Sequence, residues 1–271
     1  MKQTLINPSL RPYSRQRGFS LIELIVAMVV AVFLLAGLFT VLQGTRDTST
    51  EQTALTQLQD NERFAMQVFT NMVESAGYFP TVLPDGTANS LTSALPIDGT
   101  TYPTAGQSIS GAGNGMGGDS IVARFQTNPN EGVSSCLGHT NTTTGTVIYK
   151  NTLQVDSTQN ALTCSDGNGV TAVPLISGVQ QLTILWGVNS SAAAANSNCP
   201  ADTYLTTAQF AAATNLEQTN VCTVQVTLVF TNPLYQPVPG GPVTPGQPHT
   251  ITFTKLIAVM SKAGPVISSF T

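Results

Sequence analysis

The sequence predicts an α+β protein in which one long N-terminal helix first spans a membrane and then continues as the spine of a globular head built on an antiparallel β-sheet. Three observations carry this reading. An apolar run from Phe19 to Leu42 contains one charge, Glu23. The helical pattern continues beyond that run with no proline before Pro80. Past the glycine run at 111–118, strand-like alternation recurs between turns rich in Pro, Gly and Asn.

The apolar run is 24 residues long, which at about 1.5 Å per residue covers a hydrocarbon core of roughly 30 Å. Two other readings compete: an ordinary secretory signal, against which the run is too long and Gln43 to Arg46 offers no good small-x-small cleavage site, and a plain N-terminal anchor, which would not need Glu23. Four of the ten basic residues, Lys2, Arg11, Arg15 and Arg17, precede the run in a leader, residues 1–18, that holds no acid. This asymmetry puts the N-terminus in the cytoplasm and the remainder outside. A carboxylate in lipid costs about 2.5–3.5 kcal/mol, so Glu23 needs a partner. A cut after Gly18 would supply one, since Phe19 would then carry an ammonium group one turn before Glu23, at the i, i+4 spacing where side chains meet. The helix macrodipole disfavours a cation at that end, so a carboxylate from the same chain or a packed neighbour would help neutralise it. Glu23 therefore reads as an assembly and orientation device. Ala27, Ala31, Ala36 and Gly37 offer small-residue surfaces for close helix approach.

From 43 to 77 the helix turns amphipathic. Leu55, Leu58, Ala65, Phe69, Met72, Val73 and Ala76 recur at three- and four-residue steps, while Asp47, Glu51, Asp60, Glu62 and Arg63 fall largely on other faces. This half packs on the head, residues 78–271. Within the head, 79–118 lacks clear periodicity and is expected to be a functional or mobile surface loop that hides short strands at most. Gly113-Asn114-Gly115-Met116-Gly117-Gly118 fits G-x-G-x-x-G in form only, because it precedes a strand rather than opening a helix, and is read as a flexible connection. Ile121, Ala123 and Phe125 alternate with Val122, Arg124 and Gln126 as a half-buried strand. Residues 146–156 and 161–165 make a hairpin around Ser157 to Asn160, and Asp166-Gly167-Asn168-Gly169 makes a turn. Leu182, Ile184, Trp186 and Val188 share one strand face, with Trp186 in the core or covering a sheet edge. The loop 189–220 includes a short helix predicted from Thr207 to Leu216. Cys222, Val224, Val226, Leu228 and Phe230 share a face of the next strand. A Pro- and Gly-rich loop, 231–249, leads to the last strand, Thr250 to Met260.

Composition agrees with export. Only 9% of residues are charged. Without the leader, six basic residues stand against fourteen acidic ones, so nothing attracts nucleic acid. Cys136, Cys164, Cys199 and Cys222 are even in number and form no C-x-x-C pair, which favours two disulfides over a metal site. Sequential pairing, Cys136 with Cys164 and Cys199 with Cys222, is the expectation among the three connectivities that the sequence leaves open. No catalytic residue, metal set or cofactor motif is found: G-x-S-x-G, H-E-x-x-H, the P-loop and the EF-hand loop are all absent. His139 and His249 read as solvated loop residues, and Asp119, Asp166 and Asn168 as turn chemistry rather than calcium ligands.

At Arg17-Gly18-Phe19-Ser20-Leu21-Ile22-Glu23 and the apolar helix that follows, the chain resembles type IV pilins and pseudopilins with their class III signal. The resemblance implies a type IV pilin-like fold, cleavage between Gly18 and Phe19 by prepilin peptidase, N-methylation of Phe19, and an assembly role for Glu23. Residues 19–42 become the filament-core half of the helix. Gly118-Asp119-Ser120, Ser135-Cys136-Leu137-Gly138, Leu162-Thr163-Cys164 and Leu175 to Val179 running into Leu182 to Gly187 resemble the PilW-type minor pilins. That implies a low-abundance subunit that primes pilus assembly near the tip, in company with other minor pilins, the major pilin and the inner-membrane assembly platform. It would rest in membrane lipid beforehand, in the bacterial inner membrane with a periplasmic head, and then move to a surface pilus. A J-type minor pseudopilin of type II secretion and a tip adhesin are the alternatives. Major pilins often carry a proline midway along the apolar segment, and this chain has none there.

Overall fold

The computed structural model describes residues 18, 20–99, 101–167, 169, 171–191, 199–235 and 248–263. Expectations for the leader, for Phe19, for Asn168 and for most of the 231–249 loop lie outside the described residues. The chain divides into two units, Met1–Gln52 and Thr53–Thr271. Helix α1 (Leu21–Ser75) is continuous over 55 residues. Its end is set by Gly77, whose φ of +80° is the left-handed conformation that closes helices. A side chain there would also meet Ser261 and Ser108.

Within the head, α1 buries Leu58, Ala65, Met66, Phe69, Met72 and Val73, and Ala76 is buried just past its end, on the face that the three- and four-residue steps mark out. The head holds two antiparallel sheets where the sequence suggests one. The first has five strands in order β1 (Ile109–Ala112), β2 (Ser120–Thr127), β3 (Val147–Asp156), β4 (Ala161–Ser165) and β5 (Val173–Ser177). The second runs β7 (Thr203–Thr206), β6 (Val179–Val188), β8 (Val221–Thr231) and β9 (Thr250–Ala258). Gly178, at φ +84°, turns the chain between β5 and β6, and so separates the sheets. The three short strands that sequence patterning misses or leaves vague, β1, β5 and β7, are too brief to show a period. The helix expected from Thr207 to Leu216 is two short ones, α3 (Thr207–Ala211) and α4 (Asn215–Thr219), each opened by a capping box, at Thr206 with Gln209 and at Thr214 with Glu217. Both sheets and α1 share one core, in which Trp186 is fully buried, stacks on Phe210 at 4.4 Å between ring centroids, and donates its indole N–H to Thr207 Oγ1.

The segment 79–118 corrects the expectation of a mobile loop. It contains α2 (Leu91–Ala94), capped by Ser90, and it buries Ala94, Leu95, Tyr102 and Ile109. The residue that fixes it is Arg124. Alternation along β2 places Arg124 opposite the core face, where a sheet open on one side would expose it, yet it is buried at 1%. Its Nε donates to Gln107 O (2.7 Å), Nη1 to Pro96 O (2.6 Å) and Nη2 to Leu95 O (3.2 Å), while its Cζ lies 4.0 Å from the centroid of the Tyr102 ring. A guanidinium presents several donors in a rigid fork, so one side chain reaches three loop carbonyls, of which Leu95 O also accepts from Gly106 N (2.8 Å). Lys150 pairs with Asp98 beside this cluster.

The glycine run is likewise a built turn rather than a slack connection. Gly113, Gly115 and Gly117 have positive φ, and a side chain at Gly113 would overlap Asp119. Asp119 is buried at 1%. It accepts from Gly115 N through Oδ1 (2.8 Å) and from Ile184 N through Oδ2 (2.9 Å), which ties the start of β2 to β6. Thus Asp119 is turn chemistry, with the added task of linking the sheets.

Two disulfides join Cys136 to Cys164 and Cys199 to Cys222, across 28 and 23 residues. Chain-entropy reasoning assigns each closure about 3.5 kcal/mol. His139 departs from the expectation of a free loop residue, because its Nδ1 lies 2.5 Å from Oδ2 of Asp166, a carboxylate with no exposed side-chain surface. Ser135 Oγ donates to the same oxygen (2.9 Å), so the pair fastens the 134–140 loop next to the first disulfide.

Three outcomes are expected in purified full-length protein. Arg124→Met lowers unfolding free energy by about 2–4 kcal/mol, since Gln107 O and Pro96 O lose the Arg124 donor while Leu95 O keeps its bond from Gly106 N. Arg124→Lys recovers little of it, because an ammonium cannot fork; denaturant titration reads both. Burial, opposed by Arg124 and aided by Asp98, pushes the Tyr102 phenol above its ordinary value of 10. The unfolded chain therefore ionises this phenol near pH 10 while the folded one holds the proton. The contribution is complete below that pH and is lost as pH rises toward the folded value. Tyr102→Phe flattens this alkaline limb in a stability–pH series, at a cost of about 1 kcal/mol near neutrality for the lost bond to Val122 O. Replacing Cys136 and Cys164 together with Ser costs about 3.5 kcal/mol, and non-reducing peptide mapping of the parent chain recovers the two pairs described.

Candidate assembly surface

The first half of α1 is apolar on every side. Each large apolar side chain from Leu21 to Leu42 is 50–77% exposed, a condition that water does not tolerate. At about 1.5–3 kcal/mol for each such side chain fully buried, the transfer of this surface out of water is worth tens of kcal/mol. The helix is long and apolar enough to cross a membrane. Ala27, Ala31, Ala36 and Gly37 are exposed along it. Lacking an internal proline, the segment keeps its helical ladder, with Thr40 Oγ1 donating to Gly37 O (2.8 Å) and Thr45 Oγ1 to Val41 O (2.9 Å).

Glu23 sits in the first turn of α1, exposed, near the positive end of the helix dipole. Its backbone N–H and that of Leu24 both donate to Ser20 O, at 3.0 and 3.2 Å, which fixes where the helix starts. Gly18 is exposed and outside the helix. The proposed scissile bond therefore adjoins non-helical chain, the form a peptidase can bind, while Phe19 itself lies outside the described residues. These residues, Gly18 and Glu23, stand at one end of α1. The four cysteines belong to the head, where they hold loops and contribute no chemistry to that end.

Among the described residues, no group of three or more His, Cys, Asp or Glu is placed to hold a metal ion, and the His139–Asp166 pair fastens the 134–140 loop. A groove of about 290 Å³ between α1 and the 134–136 loop, lined by Val68, Met72, Ser135, Cys136 and Asn151 among others, presents no titratable side chain. The buried charges that sequence reading missed, Arg124, Asp119 and Asp166, each have backbone or side-chain partners and serve structure. The signal for Arg124 was present as a cation inside a strand followed by no second charge, but its cover came from a segment with no period to read.

Comparison with known proteins gives two matches to family models. The prokaryotic N-terminal methylation motif matches residues 13–39, and Type IV Pilus-assembly protein W matches residues 140–253. Among solved structures, a type IV-like pilin from Thermus thermophilus aligns at 13% identity and a TM-score of 0.37, covering 76% of this chain and 97% of that one. No curated protein matches. The W-type model runs from before β3 into the first half of β9, the greater part of both sheets, and the methylation motif spans the start of α1. Joined in one chain, a methylation motif on an exposed apolar helix and a W-type domain in the head behind it point to a structural pilin: the chain is a type IV pilin-like protein, a minor pilin of the PilW type.

Proposed function

We propose that this minor pilin primes assembly of a type IV pilus together with other minor pilins and stays near the tip of the filament. Prepilin peptidase removes residues 1–18 and methylates Phe19. The chain then waits in the inner membrane with its head in the periplasm, until the assembly platform moves it into contact with other minor pilins and the major pilin. One observation carries this reading: the apolar half of α1 is exposed all round and holds a single charge, Glu23, in its first turn. Lipid and the apolar helices of neighbouring subunits satisfy such a surface equally well, so moving from one to the other costs little hydrophobic energy. The carboxylate then decides the register, because an acid removed from water is stable only beside a cation, and the ammonium group of a neighbour's Phe19 is the cation that processing supplies.

The expected outcome for Glu23→Ala, expressed from its own locus, is normal leader removal with incorporation into sheared surface fibres reduced at least about tenfold, the equivalent of 1.4 kcal/mol. Glu23→Asp retains part of the function. Normal fibre number and incorporation with Glu23→Ala contradicts the register role. Deleting the gene lowers surface-fibre number and twitching, whereas loss of exoprotein release with fibres intact assigns the subunit to a secretion pseudopilus instead.

A further inference from the structure

The two sheets have four outer strands, and three of them carry a device that blocks further pairing. β1 is four residues long and packs against α3, β5 contains Pro174, and β7 is four residues long and runs directly into α3. Short strands, prolines and covering helices are the usual means by which sheets avoid recruiting another chain. β9 has none of these. It is nine residues long, has no proline, and pairs with β8 on one side only.

The direction of its free hydrogen-bonding groups follows from the ladder. Val259 N donates to Cys222 O at one end of the β8–β9 pair and Asn232 N donates to His249 O at the other. Hydrogen-bonded and non-bonded pairs alternate in an antiparallel ladder, so the odd-numbered residues of β9 face β8. The N–H and C=O groups of Thr250, Thr252, Thr254, Leu256 and Ala258 point outward, and among the described residues nothing pairs with them. The edge's single charge, Lys255, is on the inner face, where its Nζ donates to Thr70 Oγ1 on α1 (2.8 Å), and it has no carboxylate partner among the described residues. An inward-pointing cation guards an edge against indiscriminate pairing, so the strand this edge accepts is one that brings an acid to that face.

We propose that the outer edge of β9 docks an extended strand of a different pilin subunit, which continues the four-stranded sheet and brings a carboxylate to Lys255. The occupant is fixed by chemistry. A row of alternating backbone donors and acceptors is complemented by another extended backbone, with uncharged side chains beside Thr252, Thr254 and Leu256 and an acid on the face of Lys255. A second copy of this chain does not fit. β9 holds no acid, and a two-fold axis perpendicular to the sheet, which antiparallel pairing of β9 with itself needs, sets a second Lys255 on the same face instead of a carboxylate. This inference rests on the minor-pilin reading, and its test is separable from it.

The test uses the full-length chain in its own cells, with a photo-crosslinking residue at Thr252 and substitutions at Thr254. Thr254→Pro removes an outward N–H while leaving every β8–β9 backbone bond in place, the position at which an edge strand accepts proline; it also loses the Thr254–Thr227 hydroxyl contact (3.1 Å), a loss that Thr254→Val shares and so controls for. Thr254→Lys adds an edge charge without touching the backbone, so the two variants guard against misfolding of either. Both are expected to reduce the Thr252 crosslink to another pilin subunit, and incorporation into fibres, by about tenfold or more. Thr254→Val leaves both unchanged, and leader removal proceeds in all three. Mass mapping places the crosslink on an extended segment with an acidic residue. Crosslinking and incorporation at parent level in Thr254→Pro and Thr254→Lys overturn the inference while the minor-pilin role stands. A crosslink confined to lipid, to a second copy or to this chain's own residues overturns it as well. An unprocessed leader in every variant counts against the minor-pilin reading instead.

Discussion

The structure depends on one constraint: an apolar helical surface more than twenty residues long that none of the described residues covers. From Leu21 to Leu42 every large side chain is half exposed or more, and tens of kcal/mol of transfer free energy follow from leaving that surface in water. The surface must sit in lipid or among similar helices. Its uniformity around the helix is what makes the two environments interchangeable, since neither selects one face. A core helix of a soluble protein would instead show one apolar stripe, as α1 itself does from Leu58 to Val73.

That stripe organises the head. It lies against a core shared by two sheets, and the loops around that core are held by polar devices as well as by apolar burial. Arg124 grips the carbonyls of Leu95, Pro96 and Gln107. Asp119 joins β2 to β6, while Asp166 fixes the 134–140 loop through Ser135 and His139. The disulfides close the loops before β4 and β8. With a charged fraction of only 9%, the few charges of the head are concentrated where loops must be fixed, which leaves long stretches of its surface neutral.

The sequence read well wherever a period was long. The 55-residue helix, the hairpin of β3 and β4, the core strands β6 and β8, the burial of Trp186 and the sequential cysteine pairs all follow from repeats or spacing that a single chain displays. What escaped was non-local. Arg124 looks like the solvent side of a half-buried strand, because nothing near it in sequence announces that residues 95–107 fold over it. The separation into two sheets turns on the conformation of Gly178, and β1, β5 and β7 span only four or five residues each. The candidate surface was legible at Glu23 and Gly18, whose meaning is local to one helix end. The open edge of β9 was not, since an edge exists only once strand order is known.

The most direct test of the account is the intact mass of this chain recovered from sheared surface fibres. The account predicts one species comprising residues 19–271, with a single methyl group on Phe19 and both disulfides oxidised. A chain that keeps residues 1–18, or that occurs in the inner membrane and never in the fibre fraction of piliated cells, would contradict it.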